Sequence, residues 1–325
     1  MLEKIGKYTL HTLSSVCPWT NVYGLARTLL AVSTLLTLLL NDATIFFRPA
    51  AGIADYPNCS YNLSIFCTVP NEYFYLNLIR WLCIGILLLV AIGWRPRITG
   101  VFHWWIAHSM QTSALTLDGG EQVSAVLTLL LLPLTLTDPR KWHWEKIDVQ
   151  KQADHIQSGA VLPHIVALIT IVAIRFQASI LYLNAAVAKL KQEEWIDGTA
   201  TYYFLNDSLL GMPPLLIKAT EFVLNTSLVV VPTWGTFVAE ILLFAALFVP
   251  KRYWSYFLYL GFALHGMIAI MIGLYSFSLI MFGLLILYLR PVEQEYRFRC
   301  SLKGFRTWGL TRSRRQAAPS FDEAH

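Results

Sequence analysis

Apolar residues run along this chain in blocks of membrane-spanning length, separated by short polar connections. Blocks at 22–40, 73–93, 98–117, 123–137, 161–187, 233–249, 254–273 and 275–289 predict eight transmembrane helices. The block at 215–231 is also apolar, but Pro213, Pro214, Lys218 and Glu221 predict a re-entrant or interfacial helix there.

Charge tests the count independently, because cytoplasmic loops of membrane proteins collect Lys and Arg. Lys4 and Lys7 precede the first block, Arg95 and Arg97 join the second to the third, and Arg140, Lys141, Lys146 and Lys151 join the fourth to the fifth. Lys251 and Arg252 join the sixth to the seventh, and a basic tail follows the eighth. Every second connection is basic, so the expectation is a cell-membrane, multi-pass protein with both termini cytoplasmic. Residues 1–290 form one transmembrane domain and 291–325 a basic cytoplasmic tail. The loops at 41–72, 118–121 and 188–232 then face outward.

Composition agrees: 56% of the 325 residues are hydrophobic and 14% charged, with a mean hydropathy of +0.52, which one water-exposed core could not hide. The expected fold class is therefore an all-α polytopic membrane protein. The net charge of +5 sits in the inner loops and tail, and nothing in it suggests a nucleic-acid partner.

Ionisable side chains inside hydrocarbon are costly, so each one within a span is a functional or a structurally paired group. Counting roughly 1.5 Å per residue from the outer helix ends puts Arg80 and Gln111 near 10 Å depth, Glu240 and His265 near 12 Å and His108 near 15 Å. Each could singly lock two helices together. As a set they predict a polar cavity open to the outside, with Asp118 and Glu121 at its rim. Arg175, Tyr182 and Lys189 recur every seven residues and so share one face of the fifth helix. His103, Arg27 and Cys83 read as interfacial or packing residues.

Lys189 stands at an apolar rim beside Leu190 and Trp195. A lysine so shielded can lose its proton near neutrality and act as base or nucleophile; the plain alternative is a snorkelling lysine. Cys59 and Cys67, eight residues apart in an outward loop, could form a disulfide or remain thiols. No phosphate-binding loop, dinucleotide fingerprint or zinc spacing occurs, so no metal is expected.

The segment 180–200, with Ala186-Val-Ala-Lys189-Leu190 followed by Trp195 and Gly198, resembles the signature of the vitamin K-dependent carboxylase-like (HTTM) membrane superfamily. Asp118-Gly-Gly-Glu121, Glu240, and His265 with Gly273-Leu-Tyr-Ser-Phe-Ser-Leu279 are similar to its turn, glutamate helix and histidine helix. That resemblance implies Lys189 as base toward a quinone, or toward a lipid-like cofactor. The chain nevertheless lacks the large lumenal domain of the carboxylase and has Gly120 and Glu121 where the carboxylase has an Asn-His pair.

In length, outward Cys-bearing loop and short basic tail the chain is most similar to the sporulation-delaying protein B family. There the membrane protein works with a small partner, sporulation-delaying protein A, to mature a secreted precursor peptide into a disulfide-containing toxin. In the leading reading, a membrane component of such a maturation system, the convergence of these groups on one outer layer makes Lys189, His265 and Glu240 the catalytic groups, and Asp118, Glu121, Arg80, His108, Tyr182 and Arg175 substrate-positioning groups. A quinone-dependent carboxylase-like enzyme, and a non-catalytic peptide transport or immunity protein, are the competing readings. In the last of these the polar layer would continue inward through Arg175 and Arg27.

Overall fold

The computed structural model describes residues 16–49, 57–59, 63–115, 118–147, 161–208 and 210–296. The tail from residue 297, Cys300, Lys4, Lys7 and Lys151 lie outside the described residues.

Eight long helices form the body: α1 (Asn21–Leu40), α2 (Tyr73–Ile92), α3 (Pro96–Ser113), α4 (Gly120–Thr137), α5 (Val161–Lys189), α6 (Val230–Ala245), α7 (Trp254–Ile272) and α8 (Tyr275–Leu289). The described residues hold no β-strand, only an isolated bridge between Trp94 and Trp142. The chain is an all-α, multi-pass membrane protein.

The expected count of eight spans needs correction. Among the described residues six helical stretches are long and apolar enough to cross a membrane: Asn21–Leu40, Tyr73–Ile92, Gly120–Thr137, Val161–Lys189, Ser227–Phe248 and Lys251–Ile272. Helix α3 has 18 residues, as α4 does, but Arg97, His103, His108 and Gln111 dilute its apolarity. Helix α8 is apolar throughout yet has only 15 residues, about 22 Å at the helical rise, against about 30 Å of hydrocarbon. The segment Pro214–Leu224 is an 11-residue helix, too short to span.

Packing explains why a short helix can be so apolar. Helix α8 is hydrophobic all round, and ten of its 15 residues are buried because α1, α4, α5 and α7 all pack on it. Close approach to α7 occurs at Gly261, where a Cβ would stand 2.6 Å from Leu285 Cδ2. Helix α2, at the periphery, instead turns Phe74, Leu78, Trp81, Leu82 and Leu88 outward as a lipid-facing stripe.

Charges tie the helix ends. At the end carrying the 93–96 and 138–147 connections, Arg27 of α1 is fully buried, donating from Nη2 to Thr99 Oγ1 at 2.6 Å and lying 3.4 Å from His143 Nδ1. Arg140 pairs with Asp138 at 2.8 Å and donates to the His143 carbonyl at 2.6 Å. His143 packs against Gly93, whose φ of 91° and lack of a Cβ make room for the ring. At the opposite end Arg80 donates to the Leu38 carbonyl at 2.6 Å and the Asn41 carbonyl at 3.0 Å, satisfying acceptors that the last turn of α1 leaves open. There too, a disulfide joins Cys59 to Cys67, and this loop bonds to α3 through Ile65 N–H to Ser109 Oγ at 2.9 Å.

Burial first, then Arg27 and Arg140, push the His143 imidazole down to about 2. The unfolded chain takes up this proton near pH 6.5 while the folded protein refuses it. Stability is therefore fully present above pH 6.5 and falls by about 1.4 kcal/mol per pH unit below it. Thermal unfolding in detergent should show a lower midpoint at pH 5 than at pH 7, and His143→Gln should flatten that dependence. An equal slope in the variant would contradict the assignment.

Candidate functional site

Lys189 is the final residue of α5, where a cation is favoured by the helix dipole. The chain then reverses, with Lys191 N–H on the Ala188 carbonyl at 3.2 Å and Gln192 N–H on the Lys189 carbonyl at 3.1 Å. The short helix Glu193–Ile196 follows and brings the Trp195 ring to 4.9 Å from the Lys189 ammonium. Glu240, in the middle of α6, meets that ammonium from the other side: Lys189 Nζ donates to Oε1 at 2.7 Å. The two side chains are 18% and 10% exposed, so the pair is sheltered but reachable.

A second polar contact stands beside it. His265 of α7 and Tyr182 of α5 meet at 3.1 Å between Nε2 and the phenol oxygen. Ser278 Oγ donates to the His265 carbonyl at 2.8 Å, and the Phe277 ring meets the imidazole edge-on at 5.5 Å, so the start of α8 holds the ring in place. Among the described residues, Glu240 Oε2 and His265 Nδ1 have no hydrogen-bond partner.

Lys189, Glu240, Tyr182 and His265 all line one cavity of about 900 Å³. Its walls come from α4 to α8 and from the 195–224 connection, with Leu181, Val223, Met271 and Leu284 typical of them. Chemically, this is an apolar chamber with an ion pair that can exchange a proton and a phenol–imidazole pair that can pass one.

The remaining candidates scatter. Asp118 caps the start of α4, its Oδ1 accepting from Gly120 N–H at 2.6 Å, and Glu121 is buried in the first turn. Neither lines the cavity, although their neighbours Gly119 and Gln122 do. Arg80 is spent on the carbonyls of α1. His108 stacks on Trp104 at 5.7 Å and does not line the cavity. Arg175 lies over the ring of Trp254, the first residue of α7, at 4.8 Å and does not line the cavity. Of the expected polar layer only Glu240 and His265 line the cavity, where Lys189 and Tyr182 of the α5 face join them; Arg80, Gln111 and His108 do not. Gln122, Gln177 and Asn184 also line the cavity. Nothing in the sequence separates them from other polar residues of the spans except the seven-residue step from Gln177 to Asn184, which places both on one face of α5.

The fold and site define a multi-pass all-α membrane protein with a chamber built around one sheltered ion pair. No protein-family model and no solved structure matches the chain. It is 49% identical over 298 residues to the uncharacterized protein YitO of Bacillus subtilis (strain 168), covering 92% of this chain and 94% of that protein. It is 43% identical over 279 residues to sporulation-delaying protein SdpB of the same organism, covering 86% and 84% respectively. The chain belongs to the sporulation-delaying protein SdpB family.

Removing one partner of a sheltered ion pair strands the other, so Glu240→Ala should cost about 3 kcal/mol. The double variant Lys189→Ala/Glu240→Ala should cost less than the two single changes added together, by about 1–3 kcal/mol. Unfolding midpoints of the four proteins measure this; strict additivity would mean that the pair contributes nothing.

Proposed function

We propose that the protein is the membrane component of a secreted peptide-toxin maturation system, and that it acts on a precursor peptide in the chamber around Lys189. The observation that carries this reading is the convergence of Lys189, Glu240, Tyr182 and His265 on one cavity. Transfer of the Lys189 proton to Glu240 leaves a free amine beside a neutral acid. That amine can take a proton from a bound group or add to its carbonyl. Tyr182 and His265 would pass a proton at the same wall. The name of the relative SdpB supports a place in a sporulation-delaying system. In this reading α3 and α8 also cross within the bundle, although they are less apolar or shorter than the six spans, so that the Lys189 end faces outward with both termini cytoplasmic; residues 1–290 form the membrane domain with 291–325 as its basic tail, and a small partner of the sporulation-delaying protein A kind assists.

Transport is the weaker reading because the two arginines that would continue a polar path are packed away. Arg27 is enclosed by Thr99 and His143, Arg175 lies against Trp254, and neither lines the cavity. A quinone-dependent modification of the carboxylase-like kind has one observation in its favour: Trp195, Phe204 and Phe277 offer flat apolar faces along the chamber wall. It expects quinone in organic extracts of the purified protein, and clean extracts count against it.

Co-expression with the secreted precursor and the small partner provides the test. Lys189→Ala should lower the yield of mature peptide by about 100-fold or more, and Lys189→Arg equally, since a guanidinium keeps its proton. Tyr182→Phe should cost about tenfold. Undiminished maturation by Lys189→Ala would remove the catalytic role.

A further inference from the structure

Three side-chain carboxamides face the cavity: Gln122 from α4, and Gln177 and Asn184 from α5. Among the described residues none of the three has a hydrogen-bond partner, although each carries two donors and an acceptor. Gln177 lies twelve residues along α5 from Lys189, about 18 Å, and so well inside the hydrocarbon rather than in wet headgroups. An amide left unpaired at that depth is costly, so a matching partner is called for.

The spacing restricts that partner. Gln177 and Asn184 are seven residues apart, which places them about 10.5 Å apart along the axis and about 20° apart around it. At about 3.3 Å per residue this is the length of three residues of extended chain. A carboxamide pairs with a main-chain peptide group through one N–H and one C=O, whatever the side chain. A helical segment already satisfies its own main chain, and an acyl chain has neither donor nor acceptor.

The facing wall adds an independent sign. Met267 and Met271 of α7 and Met281 of α8 line the cavity, three of the six methionines in the chain. Unbranched thioethers repack around apolar side chains of different shape, as surfaces that accept varied sequences do.

We propose that the chamber binds an extended apolar stretch of polypeptide through its main chain, with Gln177 and Asn184 taking its N–H and C=O groups, Gln122 guiding it at the rim, and the three methionines receiving its side chains. This deepens the maturation reading and rests on it for the source of the peptide. Lys189 then stands at one end of the bound segment, where a chain threaded along α5 meets the ion pair.

The test uses the full-length protein in lipid nanodiscs and a fluorescent synthetic eight-residue peptide of Ala, Val and Leu, together with the same peptide N-methylated at alternate residues. Fluorescence anisotropy should show the N-methylated peptide binding wild type about tenfold more weakly, because its side chains are unchanged and only N–H donors are lost. Gln177→Leu/Asn184→Leu should weaken the parent peptide by a similar factor and remove the difference between the two peptides. Equal affinity of wild type for both peptides, absence of binding, or an unaffected double variant would each overturn the proposal and leave the carboxamides to water. Should the double variant not fold, the comparison of the two peptides on wild type decides alone. Lys189→Ala separates this inference from the catalytic one: retained peptide binding with lost maturation supports both, and retained maturation removes the catalytic reading while the peptide comparison stands.

Discussion

Charge inside hydrocarbon must be matched or hidden, and the ion pair between Lys189 and Glu240 is where that constraint does most to shape this molecule. It fastens the end of α5 to the middle of α6 at 2.7 Å, with Trp195 closing over the ammonium. With this end of α5 held against α6, Tyr182 one face-turn down the same helix meets His265 of α7, and the space between these helices is left as a chamber rather than filled. The apolar all-round helix α8 supplies the floor against which the others can settle.

The same constraint is met differently elsewhere. Arg27, Arg140 and Arg80 are buried, but their hydrogen bonds run to carbonyls, hydroxyls, a ring nitrogen and the Asp138 carboxylate within tightly packed helix ends. They lock connections between α1, α2 and α3, and none of them lines the cavity. What separates Lys189 from these arginines is its partial exposure to the open volume next to it, together with Glu240 Oε2 and His265 Nδ1, left unpaired among the described residues. Chemistry needs both a group that can exchange a proton and a place for what it acts on.

This division also accounts for the shape of the functional proposal. One side of the bundle, α1 to α3, is bound together by side-chain contacts to backbone and by the Cys59–Cys67 loop laid on α3. The other side, α5 to α7 with the 195–224 connection, encloses apolar volume with a few polar groups. A rigid half beside a hollow half suits a protein that holds a flexible apolar substrate against fixed proton-handling groups.

Hydropathy alone determined that the chain is a helical membrane protein, because a bilayer admits a backbone only when its own hydrogen bonds are closed within helices, and span-length apolar blocks announce them. The positions of α1, α2 and α4 to α7 were legible on that ground; Glu240 and His265 stood out because ionisable residues in such blocks are rare, and Lys189 because it stands at the rim of one beside Leu190 and Trp195. Sequence could not tell lipid-facing apolarity from protein-facing apolarity, which is why α8, short but enclosed on all sides, counted as a span. Nor could it tell that Arg80, His108 and Arg175, at plausible depths, point to other neighbours. Depth follows from position along one helix, whereas convergence depends on how each helix is rotated about its axis and on which partner it packs against, and only the three-dimensional arrangement decides those.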